Sequence, residues 1–236
     1  MDDMRHRKVN LLTMDTKKIA ALLAARGVAT AEEAQAFLHP DESQLHDPFR
    51  MANMPAAVEI IRQAVAAGQR VVIYGDYDCD GVCASVILLE ALQSLGAQAE
   101  IYIPSRKDEG YGLNCDAVRQ LAKNHQLLIT VDCGITSVEE VALARELGMT
   151  VIVTDHHTIP EAPPAAHAIL HPQLGDYPCP FLCGAGVAYK LGCALTGQRI
   201  LPSLELCGLA TIADMVPLLQ ENRALAARGL RQRHHI

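Results

Sequence analysis

Half of the 236 residues are apolar and neither glycine, proline nor charge is extreme, which suits one large domain or two small ones with a buried core. The formal charge of −7 argues against a broadly basic surface for nucleic acid but leaves a local site open. No uncharged run reaches the roughly 18 residues of a membrane span, and MDDMRHRKVN lacks the apolar segment of a secretory signal, so no membrane partner and a cytoplasmic address are expected.

Two short helices are predicted first, over Thr16 to Ala25 and Ala31 to Leu38, the second entered at TAEE with Thr30 as N-cap. DPFRMANMP reads as a loop, and Val58 to Ala67 as an amphipathic helix ended at Gly68. A buried strand, RVVIYGD, then leads into a helix through VCASVILLEALQSLG. The unit repeats: strand AQAEIYIP, helix NCDAVRQLAKN, strand QLLITVDCG, helix SVEEVALARELG, strand MTVIVTDHH. Strands without strict alternation, separated by helices, predict an α/β doubly wound fold with a mainly parallel sheet covered on both faces. Ligands of such sheets bind beyond the carboxyl ends of the strands.

Three of these strand ends carry acid or imidazole: Asp76, Asp78 and Asp80 after the first, Asp132 after QLLITV, and Asp155, His156 and His157 after VIVT. A single Asp after a strand is ordinarily a turn former or helix N-cap, and Asp80 before Gly81 fits that reading. Three strands converging on one edge do not, because the clustered carboxylates repel unless something positive lies between them. A metal ion is the economical answer. Oxygen ligands with imidazole suit Mn2+ or Mg2+, the histidine favouring Mn2+, and one shared carboxylate would make a site for two divalent cations. Two such ions would change the formal balance from −7 by +4, to about −3. Asp214, inside the apolar run LATIADMVPLL, also needs a partner; a metal and a helix-terminus hydrogen bond are both open.

The eight cysteines are scattered singly through apolar or glycine-rich segments and read as reduced thiols. Zinc at Cys79 and Cys83, or at Cys179 and Cys183, is the lesser reading of their spacing. PSRKDEGYGLN offers Arg106 and Lys107 for phosphates and Tyr111 for a base or sugar, or else a solvated loop. In CGAGVAYKL, Gly184 and Gly186 stand at a predicted helix start, where an anion contact and close helix packing are equally served.

The ordered set DYDCDG, VDCG, TDHH and IADMVPL resembles the four motifs of the DHH phosphoesterase superfamily, and closely its RecJ branch of single-strand-specific DNA exonucleases. LLAARGVATAEEAQAFLHP, DPFRMANMPAAVEII, EIYIPSRKDEGYGLN, CGAGVAYKL and ENRALAARGL resemble RecJ segments in RecJ order, so the likeness covers nearly the whole chain. It implies that Asp78 binds a first ion, with Asp76 completing or supporting that shell. Asp80, His156 and Asp214 would bind a second, and Asp132 would bridge them. Many superfamily members have a histidine where this chain has Tyr74, a poor ligand. Asp155 would orient a histidine, and His157 would face the substrate phosphate.

The implied reaction is two-metal hydrolysis of single-stranded DNA, 5′ to 3′, in DNA repair and recombination, with a single-strand-binding protein or a helicase as partner. RecJ proteins continue through a DHH-associated domain and an oligonucleotide-binding barrel, whereas this sequence stops at LRQRHHI. The expectation is therefore a truncated or split form, residues 1–55 a helical extension and 56–236 the DHH catalytic domain. A phosphodiesterase acting on short oligonucleotides or cyclic dinucleotides, and a catalytically impaired remnant, are the alternatives.

Overall fold

The computed structural model describes residues 16–105, 107, 110, 112–198 and 202–231. The chain forms two compact units, Met1–Pro40 and Asp41–Ile236. The first holds α1 (Thr16–Ala24) and α2 (Ala31–Leu38). At the start of α2 the Thr30 hydroxyl accepts the Glu33 N–H and the Glu33 carboxylate accepts the Thr30 N–H, the reciprocal cap that TAEE predicts.

The second unit opens with two 3-10 turns at 42–44 and 48–50, then α3 (Met54–Ala66). This helix starts four residues before the expected Val58, within the segment read as a loop. Pro55 in its first turn lacks an N–H where none is needed, and its fixed φ suits the helix. The alternation then follows the predicted order: β1 (Arg70–Gly75), α4 (Cys79–Ser94), β2 (Gln98–Tyr102), α5 (Cys115–Leu121), β3 (Leu127–Val131), α6 (Val138–Glu146) and β4 (Thr150–Thr154). A three-residue edge strand, β5 (Ala168–Leu170), is too short to show a period in sequence. Helices α7 (Gly184–Thr196), α8 (Leu204–Ala213) and α9 (Gln220–Arg231) complete the described residues.

All strand pairs are parallel, in the order β2-β1-β3-β4-β5, which gives the doubly wound α/β fold expected. Alternate strand residues build two cores. Val71, Ile73, Leu127, Ile129 and Ile152 pack with α3, α4, α7 and α8, while Val72, Leu128, Val151 and Val153 pack with α5 and α6. The chain turns from β1 to β2 on one side and returns to β3 on the other, so the topological switch lies between β1 and β3. Register makes the strand ends level there: Gly75 is opposite Val131, and Val131 opposite Thr154. The next residues are Asp76, Asp132 and Asp155. No helix among the described residues is long and apolar enough to cross a membrane.

Candidate metal centre

Beyond β1 the chain makes a tight turn into α4. Asp78 is the helix N-cap, its carboxylate accepting the Gly81 N–H at 2.9 Å while the residue stays exposed. The N-cap is thus Asp78, and Asp80 falls in the first helical turn, almost fully buried. Gly81 is required by the turn: a Cβ there would stand 2.5 Å from the Asp76 carbonyl oxygen.

Asp80 is held from across the fold. Its two oxygens accept the Gly184 N–H at 2.6 Å and the Ala185 N–H at 2.8 Å, at the N-terminus of α7. The anion expected at this helix start is therefore the protein's own carboxylate, favoured by the helix dipole. Gly184 also serves packing, since a Cβ would lie 2.5 Å from Asp132 Oδ1, and a Cβ on Gly186 would press on Leu182 at 3.2 Å.

Asp132 follows β3 with φ 60°, a left-handed conformation uncommon outside glycine that aspartate tolerates better than most. Its Oδ1 lies 3.1 Å from His156 Nε2. The same imidazole nitrogen is 3.7 Å from both Asp80 Oδ2 and Asp214 Oδ2, and Asp214 caps the end of α8. Asp76 Oδ1, Asp132 Oδ1, His156 Nε2 and Asp214 Oδ2 are buried without a hydrogen-bond partner among the described residues. Burial, joined by the charges of Asp80 and Asp78, pushes the Asp132 carboxyl up to about 10. Burial likewise raises Asp76 and Asp214, the latter against the opposing influence of His156. Orphaned ligand atoms of this kind are costly unless a cation completes them. The ligand atoms of Asp76, Asp78 and Asp132 lie within 4.8 Å of one another, as do those of Asp80, His156 and Asp214, and those of Asp132, His156 and His157. This donor set, mostly carboxylate oxygen with imidazole, fits hard divalent cations, and none of the three groups includes a cysteine.

The neighbouring acid behaves in the opposite way. Asp155 is equally buried, yet its Oδ2 accepts the Ile135 N–H at 2.9 Å, and its Oδ1 accepts the backbone N–H groups of His156 and His157 and the His157 Nδ1 at 2.7 Å. Burial pushes this carboxyl up, but the hydrogen bonds from His157 and Ile135 outweigh it, and the result lies below the usual range. In return, the bond to Asp155 raises the His157 pKa against the effect of burial. The His157 side chain is 43% exposed and faces a cavity of about 290 Å³ lined by Gly112, Ser137 and Thr158.

Of the predicted substrate contacts, Lys107 is exposed, while Arg106 and Tyr111 lie outside the described residues. Tyr74 is fully buried, its hydroxyl donating to the Gly112 carbonyl at 3.0 Å and accepting from Asn114 at 3.3 Å, which suits a structural tie. All eight cysteines are free thiols. Sequence reasoning found the α7 start but not the carboxylate it binds, because nothing local in CGAGVAYKL points to Asp80.

Residues 70–213 match the model of the DHH family, N-terminal domain. The chain is 45% identical over 218 residues to the single-stranded-DNA-specific exonuclease RecJ of Bacillus subtilis (strain 168), covering 91% of this chain and 28% of that protein. Among solved structures it resembles RecJ from Thermus thermophilus in complex with Mn2+, with a TM-score of 0.74, 34% identity, and coverage of 90% of this chain and 31% of that one. A second structure, of exonuclease RecJ bound to manganese, aligns with a TM-score of 0.72 and 38% identity over 77% of this chain and 48% of that chain. The chain thus spans less than half the length of each of these relatives.

Proposed function

Because this chain belongs to the DHH family, we propose that it carries the two-cation centre of a nuclease that hydrolyses single-stranded DNA from its 5′ end to mononucleotides, in DNA repair and recombination. The observation that carries this reading is the set of four buried ligand atoms without a hydrogen-bond partner among the described residues, at the level ends of β1, β3 and β4 and at the end of α8. The RecJ relatives, two of them crystallised with manganese, support the substrate and the metal.

In this reading Asp76 and Asp78 would hold one cation and Asp80, His156 and Asp214 a second, with Asp132 available to both. The imidazole among the oxygens favours Mn2+, with Mg2+ as the alternative. When bound, such cations supply positive charge opposite the phosphoryl oxygens and acidify the attacking water. The α7 N–H groups fix both oxygens of Asp80, so this carboxylate presents its remaining lone pairs in one orientation. Asp155 holds the His157 ring through Nδ1, and Nε2 is assigned to donate to a phosphoryl oxygen whose charge grows during displacement. Asp155 thus acts through His157. Lys107, with Arg106 and Tyr111 of the same segment, is assigned to the strand's phosphates and bases. A single-strand-binding protein or a helicase is the proposed source of those strands.

The test is hydrolysis with Mn2+ of one 5′-phosphorylated strand, presented single or in duplex, beside a linear and a cyclic dinucleotide. Mononucleotide release from the single strand is the expected outcome. Faster turnover of either dinucleotide would replace the substrate assignment, and no Mn2+-dependent cleavage of any of them would overturn the catalytic reading.

A further inference from the structure

The segment Asp155 to His157 must hold two adjacent imidazoles side by side, ring centroids 4.5 Å apart, with His156 among the carboxylates and His157 also lining the neighbouring cavity. The hydrogen bonds of the backbone that carries them hold the two rings in this arrangement. Asp155 accepts the N–H groups of both histidines, and the Asp155 N–H donates to the Leu170 carbonyl at the end of β5. What remains is the carbonyl of His157. It accepts from Nε2 of His171 at 2.8 Å.

His171 follows β5 directly and is completely buried. Its tautomer is fixed by its two partners. Nδ1 accepts the Gln173 N–H at 3.1 Å and therefore carries no proton, so Nε2 carries it and donates to the His157 carbonyl, which can only accept. The short strand that bears it is itself tied down, the Asn53 side chain donating to the Ile169 carbonyl at 2.9 Å. A three-residue edge strand thus ends in a rigid donor aimed at the back of the His157 turn.

We propose that His171 is a positioning residue for the reaction: by hydrogen-bonding the His157 carbonyl it fixes the turn that carries His157, and it acts on the substrate only through that ring. The proposal rests on the reading of His157 as the donor to the phosphoryl oxygen. It predicts a residue whose loss affects turnover and leaves cation binding alone, because its hydrogen bond reaches the carbonyl of His157, beyond His156, whose own N–H stays held by Asp155.

The experiment compares His171→Phe, His171→Gln and His171→Asn in the full chain. Phenylalanine keeps the volume and removes both polar atoms. Glutamine reaches the Nε2 position with an N–H, whereas asparagine reaches only the Gln173 side. Three readouts are taken: ring 15N spectra of His157 with Mg2+ present, Mn2+ affinity, and turnover of a chromogenic phosphodiester. In His171→Phe we expect kcat to fall about 10- to 100-fold with KM and Mn2+ affinity unchanged, and the signal of the His157 Nδ1–H that faces Asp155 to shift and broaden. His171→Gln should restore both kcat and the ring signature. Rescue by asparagine but not glutamine would assign His171 to the Gln173 turn and overturn the proposal. Mn2+ affinity falling in step with kcat would overturn it as well, as would an unchanged His157 ring spectrum in the Phe variant. If the wild-type chain itself turns over no phosphodiester, the nuclease reading fails, and the His157 spectrum alone then decides whether His171 positions the ring.

Discussion

The second unit buries charge in two places, and the two are built on opposite plans. Between α7 and α9, Lys190 and Glu221 are both almost completely inaccessible and form an ion pair. Glu221 also accepts the His46 N–H at 2.9 Å and the Tyr177 hydroxyl at 2.7 Å, and Lys190 donates to the His46 carbonyl at 2.8 Å. Burial beside this carboxylate keeps the Tyr177 phenol far from ionising. Opposite charges are paired, and every oxygen of the acid is used. At the strand ends the acids outnumber their donors, and four ligand atoms have no hydrogen-bond partner among the described residues. The first cluster is a finished structural joint. In the reading proposed above the second is completed by cations, which would turn the same cost of burial from holding the fold to holding a ligand.

The contrast is sharpest in how each cluster should respond to losing one charge. Glu221→Gln strands the Lys190 ammonium in the interior and should destabilise the protein by about 3–5 kcal/mol with or without metal, read by urea unfolding. The double change Lys190→Met with Glu221→Leu should recover much of that loss; failure to do so would mean that the pair is not self-contained.

Asp132→Asn should do the reverse in the absence of metal, raising the melting temperature because the folded state no longer has to keep protonated a buried acid that ionises in the unfolded chain. The gain that Mn2+ gives the wild type, about 2.7 kcal/mol at a hundredfold excess over Kd, should vanish in this variant. Elemental analysis showing unchanged metal content would remove Asp132 from its bridging role.

Between the clusters stands α7, with Lys190 within the helix and Gly184 at the end facing Asp80 and Asp132. Gly184→Ala forces a Cβ against Asp132 and should cost about 1–3 kcal/mol in stability. It should also weaken Mn2+ binding, measured by calorimetry, since the helix start must shift from the carboxylates it orients.

The last effect is a slope with pH. Raised carboxyl pKa values mean that the folded state without metal binds protons the unfolded chain has released. Stability should therefore fall as pH rises from the ordinary carboxylate range towards about 10, the value for Asp132. Asp155 has the opposite sign, its contribution being kept at neutral pH and lost in acid. A melting series in chelator from about pH 5 to about pH 9 should show the decline, and saturating Mn2+ should flatten it, because binding uses the deprotonated acids. A flat series in chelator would mean that the strand-end acids do not repel one another.

The alternation of apolar strands with helices, the parallel sheet and the convergence of Asp76, Asp132 and His156 on one edge were all legible in the sequence. They depend on local period and on a general rule about strand ends, both of which are written in neighbouring residues. The ordered motifs likewise pointed to the DHH superfamily before any coordinates. Other features depend on residues far apart in the chain. That the α7 start caps Asp80 joins positions 104 apart, and the Lys190 to His46 bond spans 144. His171 gives no signal in LHPQ, since its partner is a carbonyl fourteen residues away, reached only because β5 pairs with β4. The sequence by itself determined which groups could hold a cation, because ligand chemistry is carried by residue type. Only the tertiary structure decided which carboxylates are satisfied by the protein and which are left for a metal, because a hydrogen bond depends on distance and direction between groups that folding alone brings together.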